Sequence, residues 1–227
     1  MSRFVTWLVA ATVVGFAAAP APRAGERHLE RGSRDQAAME RLATLSAAFR
    51  AHAVWTASYR QEFVPAGMEK GEVASGTVWV AWPDRALFMT GTPVQRTMAL
   101  VGRKVRLVDL ELGSCEEHVL DDQEWERIPL VAVLDPRHAL DHFRVTLDGQ
   151  GRLILEPREP GGVARVEVVS GGSGLPSEVT VVDIQGAVNH LWFTGWTAAE
   201  GPPHGRWLPQ PPQGVVCQSS SGNEAAR

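Results

Sequence analysis

The clearest pattern of apolar and polar positions lies between residues 55 and 93. From Trp55 to Phe63 every second position carries an aromatic or small side chain and the positions between are mostly polar, as in a half-buried strand. After a polar turn, residues 76–82 are apolar on both faces, and a third apolar run spans residues 86–89. The pattern predicts three adjacent antiparallel strands with large aromatic side chains on one face.

A helix is predicted to precede these strands, from Ser33 to about His52. Its apolar residues recur at three- and four-residue spacing, at Met39, Leu42, Leu45 and Phe49.

Further strands follow as alternating segments separated by glycine-containing turns. The alternation breaks over residues 121–142, where Ile128–Leu134 favours a short helix and Pro136 interrupts it. One helix followed by roughly ten antiparallel strands predicts a mainly β (α+β) fold. We expect a strongly curved antiparallel sheet that forms an incomplete β-barrel, with the N-terminal helix and a helical lid insertion on its concave side.

The first 24 residues have the pattern of a secretory signal peptide. Arg3 is followed by an apolar run over residues 4–16 and by small residues, so we place the cleavage zone at 17–24. The apolar run is shorter than a membrane span needs, which favours export over anchoring.

The rest of the chain is expected to form one domain. We predict a flexible arm over residues 25–33, a single half-barrel domain over residues 34–217 and a disordered tail over residues 218–227.

Composition narrows the range of functions. The chain has 227 residues, a formal net charge of −4 and no basic stripe, which argues against a nucleic-acid partner. The chain has eight tryptophans and only one tyrosine. Tryptophan is common both in cores and in the walls of ligand sites.

Catalytic and metal-binding patterns are weak. We find no nucleophile with a partner base and no glycine pattern for phosphates, so we expect a protein that is not an enzyme and has no cofactor. His138 and His142 are four residues apart, but Pro136 disturbs the helix and no third ligand is indicated. We therefore predict no metal site.

Export makes the two cysteines, Cys115 and Cys217, candidates for a disulfide rather than two free thiols. Closing a loop of roughly 100 residues would constrain the unfolded chain by about 4–5 kcal/mol.

Five short motifs follow one another along the chain. They are Trp55-x-Ala57-x-Tyr59-x-Gln61, Gly76-x-x-Trp79-Val80-x-x-Pro83, Thr92-Pro93, Leu155-x-Pro157 and Pro211-Pro212-Gln213-Gly214-Val215. Their order and spacing hold from about residue 35 to residue 216. Together they resemble the LolA-type outer-membrane lipoprotein carriers.

The resemblance implies a periplasmic, monomeric chaperone without metal or cofactor. Such a protein receives an acylated lipoprotein from an inner-membrane exporter complex, shields its acyl chains between sheet and helices, and delivers it to an outer-membrane acceptor. The alternatives are a carrier of another lipid or glycolipid on the same fold and, less favoured, a lipid-sensing regulatory domain.

We predict that a lipid-binding cavity is lined by apolar side chains of the strands and the lid insertion. The candidates are Trp55, Tyr59, Phe63, Trp79, Trp82, Leu87, Met89, Met98, Leu130, Val133, Leu134, Phe143, Val145, Leu191 and Phe193. The alternative for each of them is a place in a closed core.

One position departs from the family pattern. The family has an arginine directly before the strand-ending proline, where it hydrogen-bonds the lid shut, and this chain has Trp82 there. The candidate latch is therefore Arg85, just beyond the turn. Packing of Trp82 on the insertion, or no latch at all, are the alternatives.

Overall fold

The computed structural model of the protein describes residues 24–221. Residues 1–23 of the expected signal peptide and residues 222–227 of the expected tail lie outside this range.

Four helices and one 3₁₀ turn are formed within the described residues. The helices are α1 (Ala24–Arg50), α2 (Asp122–Glu126), α3 (Pro129–Leu134) and α4 (Pro136–His142), and the 3₁₀ turn spans Pro203–Gly205. The strands are β1 (Trp55–Val64), β2 (Glu72–Ala81), β3 (Arg85–Thr90), β4 (Arg96–Val101), β5 (Lys104–Asp109), β6 (Ser114–Val119), β7 (Phe143–Leu147), β8 (Leu153–Pro157), β9 (Val163–Ser170), β10 (Pro176–Asp183), β11 (Val188–Ala198) and β12 (Gln218–Ser221).

All twelve strands belong to one curved, open sheet, which confirms the predicted fold class. The strand order is β12-β6-β5-β4-β3-β2-β1-β11-β10-β9-β8-β7, and every neighbouring pair is antiparallel except β12 with β6. The chain leaves β6 near one edge of the sheet and enters β7 at the opposite edge. The α2–α4 segment (residues 122–142), called the lid below, joins these two strands and is the predicted helical insertion.

Two expectations about the chain ends are wrong. Helix α1 begins at Ala24, so residues 25–33 continue the helix instead of forming an arm. Their polarity was misleading, because glutamate and arginine are good helix formers. Strand β12 pairs with β6 in parallel, so residues 218–221 are ordered at the sheet edge rather than disordered.

The C-terminal segment before β12, residues 206–217, returns along the sheet to β6. A disulfide joins Cys217 to Cys115 on β6, and the Arg106 guanidinium donates a hydrogen bond to the Pro209 carbonyl over 3.0 Å. Lys104 and Arg106 also donate hydrogen bonds to the Glu117 carboxylate. These bonds lower the pKa of Glu117 below its ordinary value, and the bond from Lys104 has the larger effect. These contacts fasten the segment to the sheet.

One half of the concave face is a solid core. The apolar stripe of α1 packs with the inward side chains of β7, β8 and β9, and helices α3 and α4 add to the same cluster. Fully buried members are Leu42, Leu45, Leu134, Phe143, Leu153, Leu155, Val166 and Val168. Because this half is filled, any space for a ligand lies toward the other arm of the sheet.

Candidate functional site

A cavity of about 680 Å³ lies beside this core, over the strands that α1 leaves uncovered. Met98 and Leu107 both face it and are 39% and 46% exposed, so the cavity is open to solvent on one side. Its volume is within the range of about 300–1,000 Å³ that is usual for small-molecule sites.

The floor of the cavity is formed by inward-facing side chains that pair across strands β2 to β6. Register pairs Val78 with Phe88, Phe88 with Met98, Met98 with Leu107 and Leu107 with Glu116. Directly opposed residues share a face, so these five side chains form one row on the concave side. Four of the five are apolar, and all five line the cavity.

The opposite wall comes from β10 and β11. Val179 pairs with Leu191 there, and both line the cavity. Trp196 closes the wall near α1, with its ring edge-on to Phe49 at a centroid distance of 5.9 Å. Its indole N–H donates to the Pro176 carbonyl over 2.7 Å, so its only strong polar atom is satisfied and the ring offers apolar surface.

The lid supplies the third side. Ile128, Pro129, Leu130 and Val133 line the cavity from the start and inner face of α3. The Ser46 hydroxyl on α1 donates to the Leu134 carbonyl over 3.2 Å, which ties the end of α3 to α1.

A capping box starts the lid. The Asp121 carboxylate accepts from the Glu124 backbone N–H, and the Glu124 carboxylate accepts from the Asp121 backbone N–H. The same Glu124 carboxylate lies 2.9 Å from His118 Nε2 on β6, so the first helix of the lid is anchored to the sheet.

Polar side chains collect at one end of the cavity and are called the polar collar below. The Tyr59 and Thr90 hydroxyls are 2.5 Å apart, the Gln61 amide donates to Asn189 Oδ1 over 2.8 Å, and Arg96 Nε donates to Asp109 Oδ2 over 2.8 Å. The members of the collar all line the cavity: Tyr59, Gln61, Thr90, Arg96, Asp109 and Asn189.

Two collar groups have shifted pKa values. Burial raises the pKa of Tyr59 above its usual value, so this phenol stays neutral. The pKa of Asp109 lies below its usual value, first because the carboxylate accepts the Leu112 backbone N–H and further because Arg96 is close. The cavity therefore has an apolar interior and a hydrogen-bonding, charge-balanced end.

The structure brings together only part of the predicted lining. The predicted residues that line the cavity are Tyr59, Met98, Leu130, Val133, Leu191 and Phe193. Leu134 and Phe143 belong instead to the solid core, and Val145 packs against it. These three occupy the covered half of the concave face, which the alternation pattern does not distinguish from the hollow half.

The strand faces of three other residues were assigned wrongly. Trp79 pairs with Thr56 and with Leu87, whereas the cavity residue Val78 pairs with Ala57 and Phe88. Trp79 and Leu87, and Met89 two residues on, therefore lie on the convex face. Both faces of β2 are apolar, so its sequence does not reveal which one points inward.

The last three predicted residues do not line the cavity. The Trp55 indole donates to the Phe49 carbonyl over 3.0 Å and the ring packs against the core. Phe63 lies at the end of β1 beyond the collar and is exposed. Trp82 lies in the β2–β3 turn and is exposed too.

Neither latch candidate contacts the lid in the predicted way. Arg85 is exposed and is two residues before Leu87, so strand alternation puts it on the convex face. Trp82 holds the Arg50 guanidinium 4.5 Å from its ring centroid, which is a contact with the end of α1. The chain thus fastens the lid through Ser46 and Glu124, positions that the motif comparison did not single out.

Some lining residues were missed although the sequence carried a signal. Phe88 alternates with Ala86 and Thr90 on β3, and Leu107 alternates with Val105 on β5. Both strands were predicted, but the inward face was not assigned.

The histidine pair has a structural place in the lid. The His138 ring lies 4.7 Å from the His142 ring, and its Nε2–H donates to the Glu126 carbonyl over 3.1 Å. Within residues 24–221, counting only the side chains that the structure describes (residues 36–219), no group of three or more His, Cys, Asp or Glu is arranged to hold a metal ion. Over the same range no helix is long and apolar enough to span a membrane.

The family model described as "Outer membrane lipoprotein carrier protein LolA" matches residues 51–205, more than half of the chain. The chain belongs to the LolA family. The family description is that of a carrier, which is a binding rather than a catalytic activity. No curated protein sequence matches the chain.

Solved structures with a similar fold have low sequence identity. A chain of the Pseudomonas aeruginosa MucA/MucB complex is 17% identical, with a TM-score of 0.44, and the match covers 76% of this LolA-family chain and 61% of that chain. This chain therefore spans less than two thirds of that relative. A LolA superfamily protein from Nitrosomonas europaea is 8% identical with a TM-score of 0.39, covering 70% and 94%. The lipoprotein LppX of Mycobacterium tuberculosis is 8% identical with a TM-score of 0.39, covering 74% and 98%.

Proposed function

We propose that the protein is a periplasmic carrier that holds the acyl chains of lipoproteins in the cavity while they cross from the inner to the outer membrane. The observation that supports this most is the apolar cavity of about 680 Å³ beside a solid core. The family match supports the carrier role.

The energetics of acyl chains explain why such a cavity is useful. Each CH₂ group gains about 0.8 kcal/mol on leaving water, so a chain of about 16 carbons needs roughly 12 kcal/mol to enter water unaided. Contacts with Phe88, Met98 and Leu107 recover part of this energy on the carrier. They are non-directional, so they tolerate different chains and permit release.

The polar collar gives the cargo an orientation. Arg96 with Asp109, and Gln61 with Asn189, offer hydrogen bonds at one end of an otherwise apolar space. An amphiphile fits with its acyl chain along the floor and its ester, amide or headgroup at the collar. Lipoproteins and free lipids both have this architecture, and the family match favours lipoproteins.

Mass spectrometry of what co-purifies with the periplasmic protein tests the proposal. We expect acylated peptides, whereas free lipids alone would replace the lipoprotein reading by the alternative carrier. Leu107→Asp should remove most of the cargo, because its carboxylate would be desolvated against the acyl chain. Val119→Asp is the matched control, since Val119 is similarly exposed on the next strand and does not line the cavity. Equal cargo on both variants would contradict the proposed site.

A further inference from the structure

The exposed apolar side chains of this protein are unevenly distributed. Among the described residues twelve large hydrophobic side chains are exposed, and six of them lie on the hairpins at one end of the sheet. This end is where β1 turns into β2, β3 into β4, β5 into β6 and β10 into β11. The six, called the apolar rim below, are Phe63, Met68, Val73, Leu110, Leu112 and Ile184.

The opposite end of the sheet differs. Its exposed large hydrophobics are Trp82, which lies under the Arg50 guanidinium, and Val119 at the end of β6. The rim side chains are 42–77% exposed, which is a large apolar surface for hairpin ends.

The rim is spread over separate hairpins instead of forming one compact patch. The β1–β2 and β5–β6 turns are four strand spacings apart, about 19 Å along the sheet. The β10–β11 turn lies on the other side of β1, about 10 Å from the β1–β2 turn. Dispersed apolar tips suit a fluid partner into which each tip enters independently, whereas a protein partner needs a contiguous complementary surface.

The cavity reaches the same end. At this end, one row of paired residues crosses strands β3 to β6 and lines the cavity. The row consists of Thr90, Arg96, Asp109 and Ser114, each at the end of its strand. Leu112 is a member of the rim and lines the cavity as well. An acyl chain leaving the cavity past the polar collar would therefore emerge among the rim side chains.

The charged residues near the rim indicate which kind of membrane it can bind. The charged residues within two positions of Met68, Val73, Leu110 or Ile184 are five carboxylates and one ammonium: Glu69, Lys70, Glu72, Asp109, Glu111 and Asp183. Anionic lipid headgroups attract basic segments, so this set gives no electrostatic attraction to an anionic bilayer.

We propose that the apolar rim docks the carrier on the surface of a zwitterionic bilayer, with the cavity mouth facing the lipids. The docked carrier exchanges an acyl chain with the membrane without full exposure to water. This inference rests on the proposed function, since it supplies the entry route to the same cavity.

The test compares two triple variants of the protein recovered from the periplasm of an expression host. The rim variant is Met68→Gln, Leu110→Gln and Ile184→Gln, and the control is Met39→Gln, Trp82→Gln and Val119→Gln. All six positions are exposed and none lines the cavity, so both variants should fold and keep the cavity. Flotation with phosphatidylcholine–phosphatidylethanolamine vesicles measures docking, and extraction of a fluorescent acyl lipid from them measures transfer.

We expect the unaltered protein and the control to float with zwitterionic vesicles, and addition of phosphatidylglycerol to weaken the association. The rim variant should lose at least about tenfold in vesicle partitioning and in extraction rate. Absence of flotation of the unaltered protein, or equal flotation of both variants, would overturn the proposal. Docking that requires an added membrane protein would overturn it as well and would assign the rim to a protein partner.

A second measurement separates this inference from the proposed function. Binding of a monomeric, water-soluble fluorescent fatty acid needs no bilayer and reports on the cavity alone. We expect the rim variant to bind this probe as the unaltered protein does. Weakened probe binding by the rim variant would overturn the docking role, because the rim would then act on the cavity itself. No probe binding by the unaltered protein would overturn the proposed function and the docking role together.

Discussion

Phe143 and Phe88 project from the same face of the sheet into different surroundings. The Phe143 side chain is fully buried among α1 and the lid, whereas the Phe88 ring packs edge-on to Tyr59 at 5.4 Å and borders the cavity. The pair therefore marks the boundary between the solid and the hollow half of the concave face.

Truncation of these two residues should have unequal costs. Phe143→Ala should lower the free energy of unfolding by about 3–5 kcal/mol, because it leaves a void in a packed core. Phe88→Ala should cost clearly less, because its ring already borders empty space. Urea unfolding at neutral pH measures both. Equal losses would mean that the half over β3–β6 is as tightly packed as the half over β7–β9.

The same contrast explains what the sequence could and could not predict about single residues. Alternation on β1 correctly placed Tyr59 inside, because polar residues separate its apolar positions. Val78, Trp79 and Val80 on β2 are all apolar, so only the cross-strand register decides which of them faces inward. Whether an inward residue such as Val145 meets α1 or a cavity depends on helix packing, which local pattern does not encode.

At the scale of elements, the lid is three short helices with a half-buried histidine, His138. Burial lowers the pKa of His138, the nearby His142 lowers it further, and the hydrogen bond to Glu126 and the charges of Asp135 and Glu126 oppose this shift. The folded state therefore prefers the neutral imidazole. Its stabilising contribution is complete above the unfolded pKa of about 6.5 and is lost as the pH falls from there toward the lower folded pKa.

This linkage predicts a pH-dependent lid. The urea midpoint of the unaltered protein should fall more steeply between about pH 7 and about pH 5 than that of His138→Gln, which has no titrating ring but keeps a donor for the Glu126 carbonyl. The hydrogen-exchange protection of the α3 and α4 amides, corrected for the intrinsic pH dependence of exchange, should decrease as the pH falls over the same interval. Parallel pH profiles of the two proteins would contradict this role of His138.

The C-terminal segment is held to β6 by the disulfide and by Arg106. Cys217→Ser should destabilise the protein by about 2–5 kcal/mol, because the cross-link closes a loop with a sequence separation of 102 residues. The same loss should follow when dithiothreitol is added to the unaltered protein. Unfolding midpoints that do not respond to the substitution or to reductant would show that the disulfide does not constrain the chain.

Element prediction succeeded where pattern and turn chemistry agreed. The strands and the helical insertion were predictable because glycine turns and alternation mark them, and Pro136 marks the break between α3 and α4. Strand β12 was not, because its polar residues carry no alternation and pairing with β6 follows from the disulfide next to it. The start of α1 was missed because charged residues were taken for a loose arm.

At the scale of the whole molecule, one sheet performs two tasks. Its β7–β9 arm, covered by α1, supplies the packed core, and its β3–β6 arm supplies an open apolar floor with the lid at one side and the polar collar at one end. The packed core stabilises the folded state, because the open half of the concave face contributes few buried contacts. The family could be recognised from ordered motifs alone, while this division of the concave face required the structure.

Photo-crosslinking with a diazirine-labelled fatty acid, followed by mass-spectrometric mapping of the adducts, tests the central claim most directly. The account predicts adducts on the hollow half, on residues such as Phe88, Met98, Leu107 and Leu130, which an excess of unlabelled fatty acid should suppress. Adducts confined to the convex face or the core residues of β7–β9, or adducts that excess fatty acid does not reduce, would contradict it.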